Sequence, residues 1–236
     1  KNVDNDSAGI TVGDAISTTS EGGASTTFSI VLNSQPTASV TIPLTVNDST
    51  EGQLPVASVT FTSGNWSTPK SVTVVGVDDS LADGPQDFKV LTGAATSTDA
   101  GYSDRNAADV IVTNLDNDSA GIVVIQPVSP VTGEAVGAAN ATFSVVLTSA
   151  PSAPVTIGLT STRPSEGIVI SPAAASLVFD ATNWNDPQVV TVKGVQDVTV
   201  DGAQPYTIQV EAAVSTDVGY SGRDGMDVAL TNTDDD

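Results

Sequence analysis

The chain of 236 residues contains no cysteine and no histidine, a single methionine, and only seven lysines and arginines. Lack of cysteine removes disulfides and thiolate chemistry. Lack of histidine removes the imidazole on which most acid–base mechanisms rely, and with both gone the usual zinc and copper ligand sets are excluded. A carboxylate pair is then the only general acid–base scheme left, and 4% aromatic residues suggest no aromatic-lined cleft. No enzymatic activity is expected. No apolar run approaches the roughly 18 residues of a membrane-spanning helix, so no direct membrane insertion is expected. No signal sequence opens the chain, which reads as an excised soluble piece of a longer protein.

Acid is abundant. Twenty-eight aspartates and glutamates give a formal charge of −21 and a pI near 4.1, a balance that repels nucleic acid and anionic membrane surfaces. Yet 39% of the residues are hydrophobic, and the valines and isoleucines fall in alternating runs, so the chain folds provided something neutralises the acid.

The chain states its pattern twice. Val3-Asp4-Asn5-Asp6-Ser7-Ala8-Gly9-Ile10 returns as Leu115-Asp116-Asn117-Asp118-Ser119-Ala120-Gly121-Ile122, and its acidic part returns again as Thr233-Asp234-Asp235-Asp236. Phe28 to Val31 echoes Phe143 to Val146, Glu51-Gly52 echoes Glu166-Gly167, and Asn65-Trp66 echoes Asn183-Trp184. A segment recurring at start, middle and end marks a unit boundary. The division expected is a tail of a preceding repeat at 1–6, one repeat at 7–118 and a second at 119–236, each long enough for its own core.

Short stretches rich in valine, isoleucine, threonine and phenylalanine, separated by glycine, proline, asparagine and aspartate, predict strands, and no window keeps a helical period. In the first repeat they fall near 8–19, 25–33, 38–46, 54–62, 70–77, 85–94 and 108–114. In the second they fall near 120–128, 139–148, 153–161, 169–180, 188–195, 203–212 and 226–232. Seven short strands per repeat predict an all-β protein of two tandem antiparallel, immunoglobulin-like β-sandwiches.

With an odd number of alternating strands the chain enters a sandwich at one end and leaves at the other. The loops after the first, third and fifth strands, and the end of the seventh, share the exit end, and they hold the acids. In the first repeat these are Glu21, Asp48, Glu51, Asp78, Asp79, Asp83, Asp116 and Asp118; in the second, Glu134, Glu166, Asp197, Asp201, Asp234, Asp235 and Asp236. Nothing basic in these loops offsets their repulsion. A hard divalent cation does, and Ca2+ accepts about six to eight oxygens in a forgiving geometry. The competing explanation, that aspartate suits turns and glutamate suits solvent, covers single residues better than the whole set in both copies.

The glutamate after the first strand, the acid after the third, Val77-Asp78-Asp79, the following Asp83-Gly84 and the terminal Asp116-Asn117-Asp118 together resemble the Calx-β domain, named for the calcium-binding domains of sodium–calcium exchangers and integrin β4. The resemblance covers nearly all of both repeats and rests on the order and loop positions of the acids. It implies a seven-stranded immunoglobulin-like sandwich whose loops hold one or more Ca2+ beside the junction to the next domain. By position it implies Glu21, Glu51, Asp78, Asp79, Asp83, Asp116 and Asp118 as ligands in the first repeat. The second repeat departs from the pattern, with Gln196 in place of Asp78 and Arg163 near the place of Asp48, and is expected to bind fewer or weaker ions.

Other residues read as structural. Trp66 and Trp184, each after an asparagine and three before a proline, suit a corner better than a sugar platform, and Tyr102 and Tyr220 suit hairpin plugs. Asp99, Asp104, Asp217 and Asp224, at the opposite end from the acidic loops, suit turns better than the alternative, an ion shared with the terminal acids of the preceding unit. No lysine recurs between the repeats, which argues against a lysine–asparagine isopeptide cross-link. The function expected is that of calcium-rigidified spacer repeats from a long extracellular or cell-surface protein, of an adhesin-like and bacterial kind, whose partners are neighbouring repeats of the same chain. The rival expectations are a regulatory calcium sensor and a glycan- or protein-binding accessory module of a large exoprotein.

Overall fold

The computed structural model describes residues 6–13 and 17–236. The expected tail at 1–6, apart from Asp6, and the stretch 14–16 of the first expected strand lie outside the described residues. Among the described residues there are strands and no helix, and the chain divides into two compact units: residues 6–79 with 83–117, and Ser80–Ala82 with Asp118–Asp236. Ser80–Ala82, read from the sequence as part of the first repeat, counts with the second, where Leu81 makes an isolated parallel bridge to Ala150.

In the first unit the strands are β1 (Ile10–Gly13), β2 (Ser17–Ser20), β3 (Ser25–Leu32), β4 (Val40–Val46), β5 (Gly52–Gln53), β6 (Ser58–Phe61), β7 (Lys70–Gly76), β8 (Gln86–Thr92) and β9 (Val110–Leu115). They form a four-stranded sheet in the order β1-β3-β7-β5 and a five-stranded sheet in the order β2-β9-β8-β4-β6. The second unit repeats this with β10 (Ile122–Ile125), β11 (Val131–Gly133), β12 (Ala141–Leu147), β13 (Val155–Ser161), β14 (Gly167–Ser171), β15 (Ser176–Phe179), β16 (Gln188–Gly194), β17 (Gln204–Val210) and β18 (Val228–Thr233). Its sheets run β10-β12-β16-β14 and β11-β18-β17-β13-β15. The all-β class and the two tandem immunoglobulin-like sandwiches expected from the sequence are those observed.

The strand number differs, nine per unit against seven: the expected strands at 8–19 and 169–180 are each divided between two sheets, and β5 and β11 lie outside the ranges expected, 54–62 and 120–128. In the first unit β1 pairs with β3 and β2 with β9, while β5 pairs with β7 and β6 with β4. Proline accounts for three of the four breaks. It cannot donate to a ladder, so a strand ends there and the chain is free to cross. Pro127 and Pro130 separate β10 from β11, Pro55 separates β5 from β6, and Pro172 separates β14 from β15.

Alternation builds each core. Phe28, Ile30 and Leu32 of β3 face Val72 and Val74 of β7, while Ile42 of β4, Phe88 of β8 and Val112 of β9 close the other side. Phe143, Val145, Val190, Val192, Ile157, Ile208 and Leu230 do the same in the second unit. Trp66 and Trp184 pack against these cores, and their carbonyls accept from Leu32 and Leu147. Tyr102 and Tyr220 are fully buried between β8 and β9 and between β17 and β18. Their hydroxyls donate to the carbonyls of Ser34, at 2.6 Å, and Ser149, at 2.7 Å.

The Tyr220 hydroxyl also accepts from the Ser149 amide at 3.1 Å, so Tyr220→Phe leaves buried backbone groups unpaired. We expect a loss of about 1–3 kcal/mol in the second unit, measured by denaturant unfolding. A loss confined to the first unit's transition would contradict the assignment.

Candidate metal centre

Parallel pairing sets the site. β2 lies parallel to β9 with Ser20 opposite Leu115, so the residue after β2 meets the residues after β9. Glu21 donates its backbone N–H to the Leu115 carbonyl at 3.1 Å, and its buried carboxylate accepts the Asn117 N–H at 3.2 Å. Asp116 accepts the Gly84 N–H at 2.7 Å, drawing the β7–β8 connection onto the end of β9. Glu21 and Asp116 thereby offer carboxylate oxygens within 4.8 Å of each other. The β4–β5 loop joins through Glu51, whose carbonyl accepts from Val77 at 3.1 Å and whose buried carboxylate accepts from the Asn114 amide at 3.3 Å. Asp78 accepts from the Asn117 side chain at 3.0 Å. Asp79 is half-buried and Asp83 exposed. Asp118, where the second unit's main stretch begins, is half-buried.

The second unit is built alike. Glu134 follows β11, which runs parallel to β18, and its N–H donates to the Thr233 carbonyl at 3.0 Å. Asp234 accepts the Gly202 N–H at 2.8 Å, as Asp116 accepts that of Gly84, and also accepts the Asp236 N–H at 2.9 Å. Asp197 caps its own loop by accepting the Thr199 N–H at 2.7 Å. Carboxylate oxygens of Glu134, Asp197 and Asp236 all lie within 4.8 Å of one another. Glu166 is buried and accepts from the Ser165 hydroxyl at 3.3 Å. Arg163, expected to oppose a cation, directs its guanidinium to the Gln204 side chain, at 3.0 Å, and to the Pro205 carbonyl.

The electrostatics follow from burial and like charge. Burial pushes the Glu51 carboxyl above its ordinary 4.5, against the Asn114 hydrogen bond, and Asp83, Asp79 and Asp48 raise it further. Burial likewise raises Glu134, and the charges acting on it are all acidic: Asp197, Asp234, Asp201 and Glu166. Asp48 is held low by the Thr50 hydroxyl and N–H, and Asp234 by the N–H groups of Asp236 and Gly202. Glu134 is only 4% exposed, and its Oε2 is a buried oxygen without a hydrogen-bond partner. Such an oxygen is costly unless a cation meets it. Two oxygens held by one Ca2+ at about 2.4 Å stand at most about 4.8 Å apart, a span that the three carboxylates of the second unit do not exceed.

Of the acids singled out in the sequence, the tight groupings among the described residues take in Glu21, Asp116, Glu134, Asp197 and Asp236. Glu51, Asp78, Asp79, Asp83, Glu166, Asp201 and Asp234 stand around them as field and framework. Asp99 and Asp217, at the other end, accept from the N–H groups of Thr37 and Ser152 and of their own turns, Gly101 and Gly219. Sequence reasoning missed Asn114 and Asn232, whose side chains are buried at the centre of each site. A signal existed. Val110, Val112 and Asn114, like Val228, Leu230 and Asn232, occupy successive inward positions of one strand, and an amide in that row demands buried partners.

No protein-family model and no curated protein sequence matches the chain. Among solved structures, it is similar to the calcium-binding domain CBD12 of CALX1.1, with a TM-score of 0.39 and 12% identity over 95% of this chain and 99% of that one. It is also similar to CBD12 of CALX1.2, with a TM-score of 0.36 and 11% identity over 96% and 99%. The periplasmic chaperone SfaE gives a TM-score of 0.35 and 9% identity over 96% and 100%. At these scores the likeness carries no argument about this chain, whose fold and site stand on its own geometry.

Proposed function

We propose that both units bind Ca2+ at the acidic end of the sandwich, and that they serve as non-enzymatic, calcium-stiffened extender repeats of a long extracellular or cell-surface protein of the adhesin kind. The observation that carries the calcium reading is the group of Glu134, Asp197 and Asp236, with a buried, unpartnered Glu134 oxygen at its centre. In the second unit Glu134, Asp197 and Asp236 would hold the ion. In the first, Glu21 and Asp116 would do so, with Asp118 standing to β9 as Asp236 stands to β18. Bound Ca2+ supplies charge neutralisation and a tie between loops. The chain's own part is to deliver the carboxylates: strand pairing brings the loop ends together, and backbone N–H groups aim Asp116 and Asp234. The spacer role rests on connection. Asp116 and Asp118 lie on the short stretch between β9 and β10, which holds no flexible glycine–serine linker, and the partners are then neighbouring repeats.

Thermal melts test the ion. Ca2+ should raise the midpoint through linkage, and Mg2+ should do so poorly because it demands a tight octahedron and keeps its waters. Equal midpoints in chelator and in millimolar Ca2+ would overturn the reading.

Acid should mimic the ion in part. The raised Glu51 and Glu134 bind protons more tightly folded than unfolded, so their contribution is full below about 4.5 and is lost as pH rises through their folded values. The lowered Asp48 and Asp234 contribute above their ordinary 3.8 and lose that contribution below it. In chelator the melting midpoint should therefore climb as pH falls from neutrality and drop once the aspartates protonate, while saturating Ca2+ should remove the climb. A chelated midpoint that declines steadily from neutrality downward would contradict these environments.

Stiffening is tested by small-angle scattering. The distance distribution should be longer and narrower in Ca2+ than in chelator, and Asp116→Ala with Asp118→Ala should keep the broad form. An unchanged distribution in a chain whose melts respond to Ca2+ would leave a folding role and remove the mechanical one.

A further inference from the structure

Asn232 has every polar atom of its side chain engaged, and it is 0% exposed. Its amide donates to Glu134 Oε1 at 3.0 Å and to the Val195 carbonyl at 3.1 Å. Its Oδ1 accepts from the Thr132 hydroxyl at 3.1 Å. Thr132 gives its proton to Asn232, so the Tyr206 hydroxyl, 2.9 Å away, is the donor to Thr132. The chain Tyr206 to Thr132 to Asn232 thus runs in one sense and fixes which end of the amide faces Glu134.

The consequence falls on three segments at once. One hydrogen bond occupies Glu134 Oε1 and leaves Oε2 as the free oxygen. The other holds the backbone two residues before Asp197. Asn232 itself lies four residues before Asp236 on the chain leaving β18. The first unit repeats this in part: Asn114 donates to the Val77 carbonyl at 2.9 Å and accepts from Thr19 at 3.0 Å, but its second bond, at 3.3 Å, goes to Glu51 of the β4–β5 loop, the counterpart of Glu166. A Cβ at Gly194 or Gly76 would collide with the oxygen of Asn232 or Asn114, so glycine there leaves room for the amide.

We propose that Asn232 is a positioning residue for the ion: one buried amide sets the ligand oxygen of Glu134 and the loop that carries Asp197 before any ion arrives. This rests on the calcium reading of the same site and adds that the site is pre-organised from a residue that does not touch the ion. Donors that hold a ligating side chain in place without touching the ion are worth about ten- to a hundredfold in metal affinity.

The test uses the whole chain with Ca2+ alone as the probe, by calorimetry, and hydrogen exchange in chelator. Asn232→Leu keeps the volume and removes the hydrogen bonds; Thr132→Val keeps the shape and removes the hydroxyl that orients the amide, together with the bond it accepts from Tyr206, and it decides the matter if Asn232→Leu does not fold. The second unit's Ca2+ affinity should fall at least about tenfold in Asn232→Leu and at least about threefold in Thr132→Val, with the first unit's binding as internal control. In chelator, exchange at Glu134 and at Val195 to Asp197 should quicken while Ile208 and Val228 stay protected. A purely structural amide would instead lower the melting midpoint and leave affinity within about twofold, which overturns the proposal. If the parent chain takes up no Ca2+, the calcium reading fails by itself, and the exchange measurement still decides: unchanged exchange in both variants overturns the positioning role, and local quickening upholds it.

Discussion

Parallel pairing of a short first-sheet deserter with the last strand is the constraint on which the rest of each unit depends. β2 beside β9, and β11 beside β18, are the parallel neighbours within otherwise antiparallel sheets. An antiparallel neighbour would have sent Glu21 and Glu134 to the opposite end of the sandwich from Asp116 and Asp234. Because the two strands run the same way, their exits coincide, and the backbone N–H of each glutamate is bound to the carbonyl that ends its partner strand. The acids are then held in place mainly by neutral donors: N–H groups, one amide and hydroxyls. That leaves their charge in place for a cation to meet.

The two units reach the same arrangement with different side chains. Phe88 of the first is replaced by Tyr206 in the second, and the added hydroxyl enters the buried row that ends on Glu134. In the first unit the equivalent amide turns to Glu51 instead. Glu51 and Glu134, one from the β4–β5 loop and one following β11, are also the two glutamates that burial and neighbouring carboxylates push upward. The amide therefore lies, in each unit, against a carboxylate that is least comfortable when charged.

Much of this was legible in the sequence. Alternating valines and phenylalanines gave the strands, and the Asp-Asn-Asp recurrence gave the repeat, because both depend on local spacing. The divided strands were harder. Pro127, Pro130, Pro55 and Pro172 stand in plain view, but a proline shows only that a ladder stops, and which sheet receives the chain afterwards is settled by tertiary packing. The acids were read as one collective pole, whereas the structure separates a tight group such as Glu134, Asp197 and Asp236 from residues that surround it. That separation depends on side-chain reach of a few ångströms, which loop position does not encode. Asn114 and Asn232 escaped because polarity at an inward position looks like an exception to the pattern until its partners are known.

The same prolines have a further consequence for a chain with two similar sandwiches in succession. Covalent neighbours share a high local concentration, and sheets with long open edges would join across domains into misfolded assemblies. Here the outer strands of the four-stranded sheets are clipped: β1 and β10 have four residues each, and β5 has two. The longest, β14, carries the exposed Ile168 and Ile170, and its register shifts between Val169 and Ser171, an irregularity that twists an edge away from a would-be partner. Breaking the first and fourth strands thus does more than gather the acids: it shortens the open edges on which another sheet could pair.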